Sequence, residues 1–132
     1  MESNLGDLQL INDGIAYQGR IRGDDRAIIR AVLKEPGVVN VEDIFRGNLP
    51  KGSGSDFLAA TLIGHRIIPT KQLIFSNIIE PNTREVYHKG EEPSTSTVAK
   101  VGIRVLKKLG LESSNMEFEI YRGKLNLRIN VG

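Results

Sequence analysis

The stretch Met116-Glu117-Phe118-Glu119-Ile120-Tyr121-Arg122-Gly123-Lys124-Leu125-Asn126-Leu127-Arg128-Ile129-Asn130-Val131 decides the fold. Met116, Phe118 and Ile120 alternate with Glu117, Glu119 and Tyr121. After Arg122-Gly123, Leu125, Leu127, Ile129 and Val131 alternate with Lys124, Asn126, Arg128 and Asn130. A two-residue turn at Arg122-Gly123 pairs Tyr121 with Lys124, Ile120 with Leu125, Phe118 with Leu127 and Glu117 with Arg128. Every apolar side chain then falls on one face, and a slip of one residue would destroy that match. The chain therefore ends in a half-buried antiparallel hairpin whose open face carries Arg128, Lys124 and Tyr121.

Working back from the hairpin, Val98, Val101, Val105 and Leu109 recur at helical spacing. Ser94, Thr95 or Ser96 caps that helix, and Gly110 stops it. Its other face carries Lys100, Arg104 and Lys107/Lys108. Further back, Gln72–Ile79 reads as a buried strand and Ser55 caps a helix whose apolar side is Phe57, Leu58 and Leu62. Asp24-Asp25 offer a cap and an acidic first turn for a helix with Ile28, Ile29, Val32 and Leu33 on one side, ended by Pro36-Gly37. Val38–Ile44 holds a short strand or turn. Residues 1–22 read as a loose leading segment or short strand, and residues 82–96 show no period. The expectation is one α+β domain over 23–132, with N-terminal helices packed on a small antiparallel sheet that ends in the hairpin.

Composition narrows the function. The chain has 132 residues, 39% hydrophobic and 26% charged, within the ordinary range for a globular domain. It has no cysteine, which excludes a disulfide scaffold, a thiolate zinc site and a cysteine nucleophile. No apolar run reaches membrane-spanning length and no secretory leader opens the chain, so an export signal is expected to belong to a longer parent. Residues 1–60 hold 7 Lys/Arg and 9 Asp/Glu, whereas residues 61–132 hold 11 Lys/Arg and 7 Asp/Glu. The basic C-terminal part favours an anionic partner such as nucleic acid, and the plain alternative is a chance asymmetry of charge.

Lys100, Arg104 and Lys107, with Arg122, Lys124 and Arg128 from the hairpin, form the expected phosphate-binding set. The plain alternative for the helical stripe is a solvated face. His65 and His88 each stand beside a cation, Arg66 and Lys89, and a histidine can exchange a proton near neutral pH. Cleavage of RNA by 2′-OH attack needs an acid and base, a cation for the phosphorane and an orienting hydroxyl, without cofactor or metal. The catalytic candidates are accordingly His65 or His88 with Lys89, Arg84 or Arg66 and Ser76 or Thr97. Turn chemistry alone also accounts for polar residues at strand ends. No metal-ligand spacing joins the histidines. Residues 46–55, Arg-Gly-Asn-Leu-Pro-Lys-Gly-Ser-Gly-Ser, form a linker or a backbone-rich approach to a ligand. Gly52-Ser53-Gly54-Ser55 before a helix could cradle a phosphate, although the lysine of a P-loop is missing.

Three features carry a family resemblance. Glu2-Ser3-Asn4 resembles the VENN-type boundary before variable toxin domains. The block Gly54-Ser55-Asp56-Phe57-Leu58-Ala59, followed by Ile74-Phe75-Ser76-Asn77-Ile78-Ile79 and Thr83, is similar in layout to nuclease toxins, and the chain ends on a strand pair. It thus resembles the C-terminal toxin domain of a polymorphic or contact-dependent inhibition protein. That resemblance implies a barnase–EndoU–colicin–RelE-like, metal-independent ribonuclease, often directed at tRNA. It further implies delivery into a target-cell cytoplasm as part of a larger bacterial protein, and a cognate immunity protein. The helix between strands departs from that fold. The competing expectations are a non-catalytic nucleic-acid-binding domain and a protein-interaction module of the immunity or adaptor kind.

Overall fold

The computed structural model describes residues 5–132, so the boundary-like Glu2-Ser3-Asn4 lies outside the described residues. Four strands come first: β1 (Leu8–Asn12), β2 (Tyr17–Ile21), β3 (Asp24–Glu35) and β4 (Val38–Arg46). Helix α1 (Gly54–His65), strand β5 (Gln72–Phe75), helix α2 (Pro81–His88), a 3₁₀ turn (Pro93–Thr95) and helix α3 (Thr97–Lys108) follow. Strands β6 (Ser113–Tyr121) and β7 (Lys124–Val131) end the chain. All strands join one sheet in the order β1-β2-β3-β4-β5-β7-β6, antiparallel throughout except for the parallel pair β4–β5. The protein is α+β.

The terminal hairpin has the register its alternation dictates: Tyr121 faces Lys124, Ile120 faces Leu125, Phe118 faces Leu127 and Glu117 faces Arg128. Arg122 and Gly123 both take positive φ, 52° and 76°, as a turn matching the strand twist requires. Leu125, Leu127 and Ile129 are buried, and Lys124 is exposed.

The N-terminal half corrects the expectation of a helix at 24–35. That segment is the twelve-residue strand β3. Ala27, Ile29 and Ala31 are wholly buried and alternate with Arg26, Ile28 and Arg30, a period of two hidden beneath the helical spacing of Ile28, Ile29, Val32 and Leu33. Pairing with β2 and β4 on either side overrides the local signal. Pro36-Gly37 makes the β3–β4 turn, with Gly37 at φ 84°. Asp24 caps no helix; its carboxylate accepts from the Asn48 N–H at 2.6 Å and pins the loop after β4. The leading stretch supplies β1 and β2, and the aperiodic residues 82–96 hold most of α2 and the 3₁₀ turn.

The three helices pack on one face. Phe57, Leu58 and Leu62 of α1 and Ala99, Val105 and Leu106 of α3 share a core with Ile29, Ala31, Val39, Val41, Leu73, Phe75, Leu127 and Ile129. Gly102 lets α3 close on the sheet: a Cβ there would meet Ile129 Cδ1 at 2.5 Å and Phe75 Cε2 at 2.9 Å. Asp56 of α1 and Lys108 of α3 join the two helices by an ion pair of 2.6 Å. The opposite face carries Arg30, Asn40, Glu42, Ile74, Asn126 and Arg128.

Candidate functional site

The parallel pair opens at its C-terminal end. Val38–Val41 pair with Gln72–Phe75, and the last rung is the Ser76 N–H donating to the Val41 carbonyl at 3.0 Å. Two local features then drive the strands apart. On β4, Val41 faces Ala31 and Asp43 faces Arg30, so Glu42 is an extra residue, a β-bulge that bends and twists its strand. Just after β5, Asn77 takes φ 52°; its N–H is held by Asn126 Oδ1 at 3.0 Å and the Ile78 N–H by the Leu125 carbonyl at 2.8 Å, so the chain turns towards β7. Residues 42–46 of β4 are thereafter paired with β3 alone, which leaves a row of main-chain groups facing the gap.

A cavity of about 630 Å³ fills this gap on the helical side. Ligands of open α/β sheets bind outside the carboxyl ends of parallel strands, and a space of this size suits an organic ligand. Its walls are Ile44, Phe75, Ile78, Val98 and Val101; Lys51, Arg104, Thr97 and the N-terminal end of α1 stand among its lining groups.

The helix ends are not equivalent. Glu80 caps α2, accepting from the N–H groups of Thr83 at 2.7 Å and Asn82 at 2.9 Å. Ser96 Oγ accepts from the Ala99 N–H of α3 at 3.2 Å, while Asn82 Oδ1 and Thr83 Oγ1 take the N–H groups of Thr97 and Val98. The N-cap of α1 is Ser53, two residues before the Ser55 expected to cap it, and no side chain bonds that end. Gly54 and Ser55 at this end line the cavity beside Lys51 and Gly52, and the first N–H groups of a helix have no partner within it. Asp56, the acid of that turn, is neutralised by Lys108. Lys51 has no ion-pair partner among the described residues, whereas Arg46 Nη1 is spent on the Leu49 carbonyl at 2.6 Å and shapes the loop.

Of the sequence-derived candidates, Ser76, Thr97 and Arg104 line this cleft. Ser76 Oγ donates to Asn40 Oδ1. Lys124 and Arg128, with Ser76, line a second basin on the other face. The rest lie elsewhere. His65 Nε2 meets the Gln18 carbonyl at 2.8 Å, an acceptor, so this nitrogen carries the proton; its ring lies edge-on to Tyr17. Arg66 is the left-handed C-cap of α1. His88 lies against Tyr87, which in turn meets Phe118 of β6. Lys89 pairs with Glu85 at 2.6 Å, which lowers the Glu85 carboxyl and raises the Lys89 ammonium from their ordinary values. Arg84 Nη1 donates to the Ile78 carbonyl at 3.1 Å. Lys100 and Lys107 are exposed on α3, and Arg122 stacks over Tyr121 in the hairpin turn. The two histidines thus sit by β2 and β6, with four strands between them, and converge on no common site. Sequence reasoning missed Lys51, Glu42 and Asp43. Lys51 stood in the Gly- and Ser-rich stretch read as an approach to a ligand, but nothing local announced the bulge.

No protein-family model matches the chain, and no curated protein matches it. Among solved structures, seven chains match. One is an acetyltransferase of Bacillus subtilis in complex with CoA, with 10% identity and a TM-score of 0.45, covering 87% of this chain and 74% of that one. The ribonuclease-toxin expectation, with its RNA and immunity-protein partners, is corrected here. The likeness found is to an acetyltransferase rather than to a nuclease or toxin domain. The geometry agrees with the correction, because the acid–base pair that 2′-OH attack requires is split across the sheet. Among the described residues no helix is long and apolar enough to cross a membrane.

Proposed function

We propose that the chain binds a coenzyme A thioester in the β4–β5 cleft and transfers its acyl group. The observation that carries this reading is the parting of the parallel strands beyond Val41, which presents an open backbone edge beside an uncapped helix N-terminus. A coenzyme A thioester is a long ligand with a diphosphate, two amides in an extended arm and a reactive carbonyl at the tip. Each part has a counterpart here. The N–H groups at the start of α1, with Lys51, suit the diphosphate. The unpaired edge of β4 suits the amides, as an added strand would. Val98 and Val101 of α3 and Phe75 of β5 give the arm an apolar wall. The tip would then reach the bulge at Glu42 and Asp43.

Calorimetry of the full chain with coenzyme A and with acetyl-coenzyme A tests this reading. Both are expected to bind, and Lys51→Glu to weaken both. Failure of either ligand to bind at millimolar concentration overturns it.

A further inference from the structure

The β4–β5 gap opens to both sides of the sheet. Glu42, Asp43, Ser76 and Asn77 line the helical-side cleft and also a basin of about 510 Å³ on the open face. The bulge explains how. Ile44 keeps to the helical side, packed on the core near Gly54, while Glu42 pairs with Arg30 at 3.1 Å on the open face and Asp43 stands opposite Arg30 in register. The extra residue thus sets two successive carboxylates on one face, where a regular strand would alternate them.

The charges of the basin are mixed and selectively engaged. Glu42 is held by Arg30, and Glu119 by Arg128 at 2.6 Å. Asp43, Lys34 and Lys124 have no ion-pair partner among the described residues. One free carboxylate therefore stands at the passage to the cleft, and two free ammonium groups stand in the basin. β4 and β7 flank β5, and Asp43 and Lys124 both line the basin from those two strands.

We infer that this basin is the acceptor subsite and that its ligand is a small primary amine bearing an anionic group, the amine at Asp43 and the anion at Lys124. The inference rests on the acyl-transfer reading of the cleft. The acceptor ammonium gives one proton to solvent by way of Asp43. The amine then forms a C–N bond to the thioester carbonyl carbon, the C–S bond breaks, and the departing thiolate takes the second nitrogen proton. Polyamines and lysine-rich peptides are disfavoured, because Lys34 and Lys124 repel every further positive charge.

The test uses the full chain with glutamate, O-phosphoethanolamine and spermidine, each with and without acetyl-coenzyme A. Binding is read from amide chemical shifts, and transfer from thiol release. A carboxylate or a phosphate is the anion, and the first two probes distinguish them. At least one of these two is expected to shift the basin residues and release thiol, with spermidine inactive. Lys124→Glu is expected to weaken that amine by about tenfold or more while leaving coenzyme A binding in place. Coenzyme A binding together with a preference for spermidine, no amine binding, or an indifferent Lys124→Glu variant overturns the acceptor assignment alone. Absence of coenzyme A binding overturns the underlying reading and the acceptor role with it.

Discussion

The Ser76 N–H reaches the Val41 carbonyl at 3.0 Å, and that bond is the last between β4 and β5. Everything assigned to the cleft lies beyond it: the bulge at Glu42, the left-handed Asn77 and the free edge of β4. The gap is held open by backbone conformation on both strands, so it exists before any ligand arrives.

Gly54 offers a direct probe of the cleft mouth. A Cβ there meets only Ile44 Cδ1, at 3.8 Å, an ordinary contact. Gly54→Glu is therefore expected to fold and to place a carboxylate where the start of α1 would meet a phosphate. Coenzyme A affinity should fall by about a hundredfold or more, read by calorimetry, with circular dichroism unchanged. Retained affinity would remove the start of α1 from the site.

The apolar wall of the cleft depends on how closely α3 approaches the sheet. At Gly102 an added methyl would stand 2.5 Å from Ile129 Cδ1 and 2.9 Å from Phe75 Cε2. Gly102→Ala gains helix propensity, but overpacking is the larger effect, and the expected net destabilisation is about 1–2 kcal/mol. Urea denaturation checks it, and a stabilised variant would show that α3 can shift outward freely.

The elements legible in the sequence are those specified by their own neighbours. The terminal hairpin is legible in its alternation across Arg122-Gly123, and α3 in the spacing of Val98, Val101, Val105 and Leu109, with Ser96 the cap among the three residues the sequence offers. The Gly52–Ser55 stretch announced a helix start, with the cap at Ser53 rather than at Ser55. What stayed hidden depends on partners distant in the chain. β3 has the apolar spacing of a helix and becomes a strand because β2 and β4 pair with it. The cleft depends on the parallel pairing of Val38–Val41 with Gln72–Phe75 and on a bulge visible only in register with β3. The histidines stand out for what imidazole can do, and side-chain chemistry carries no information about convergence. His65 is bonded to Gln18 and His88 is packed on Tyr87.

Two arginines occupy left-handed backbone, Arg66 at φ 59° after α1 and Arg122 at φ 52° in the hairpin turn. A side chain with a Cβ is strained there by about 1 kcal/mol; glycine removes that strain, and asparagine tolerates this conformation better than arginine through local hydrogen bonding. Arg66→Gly and Arg122→Asn are each expected to stabilise the fold by about 0.5–1 kcal/mol. The residues are far apart, so the double variant should show the sum. Thermal denaturation of the three variants measures this. A loss of stability in Arg66→Gly would mean that the arginine contributes more than its backbone costs.

The turn between β1 and β2 carries a pH-sensitive element. The Asp13 carboxylate accepts from the N–H groups of Ala16 at 2.8 Å and Ile15 at 2.9 Å, and from Gln18 Nε2 at 3.1 Å, with Arg30 at 3.8 Å. These bonds, the Ala16 and Ile15 N–H groups foremost, lower its pKa from the ordinary aspartate value. The folded form therefore binds this proton less readily than the unfolded chain does. Its stabilising contribution is complete above the unfolded aspartate range, about pH 4 and upward, and is lost as pH falls through the lower folded value. Asp13→Asn should consequently lie below the parent in stability at pH 7 and converge on it towards pH 2. Denaturation across that interval, with the Asp13 carboxyl carbon followed by NMR, reads both the stability difference and the titration. A constant gap between parent and variant down to pH 2 would show that the carboxylate holds the turn without any advantage to its charged form.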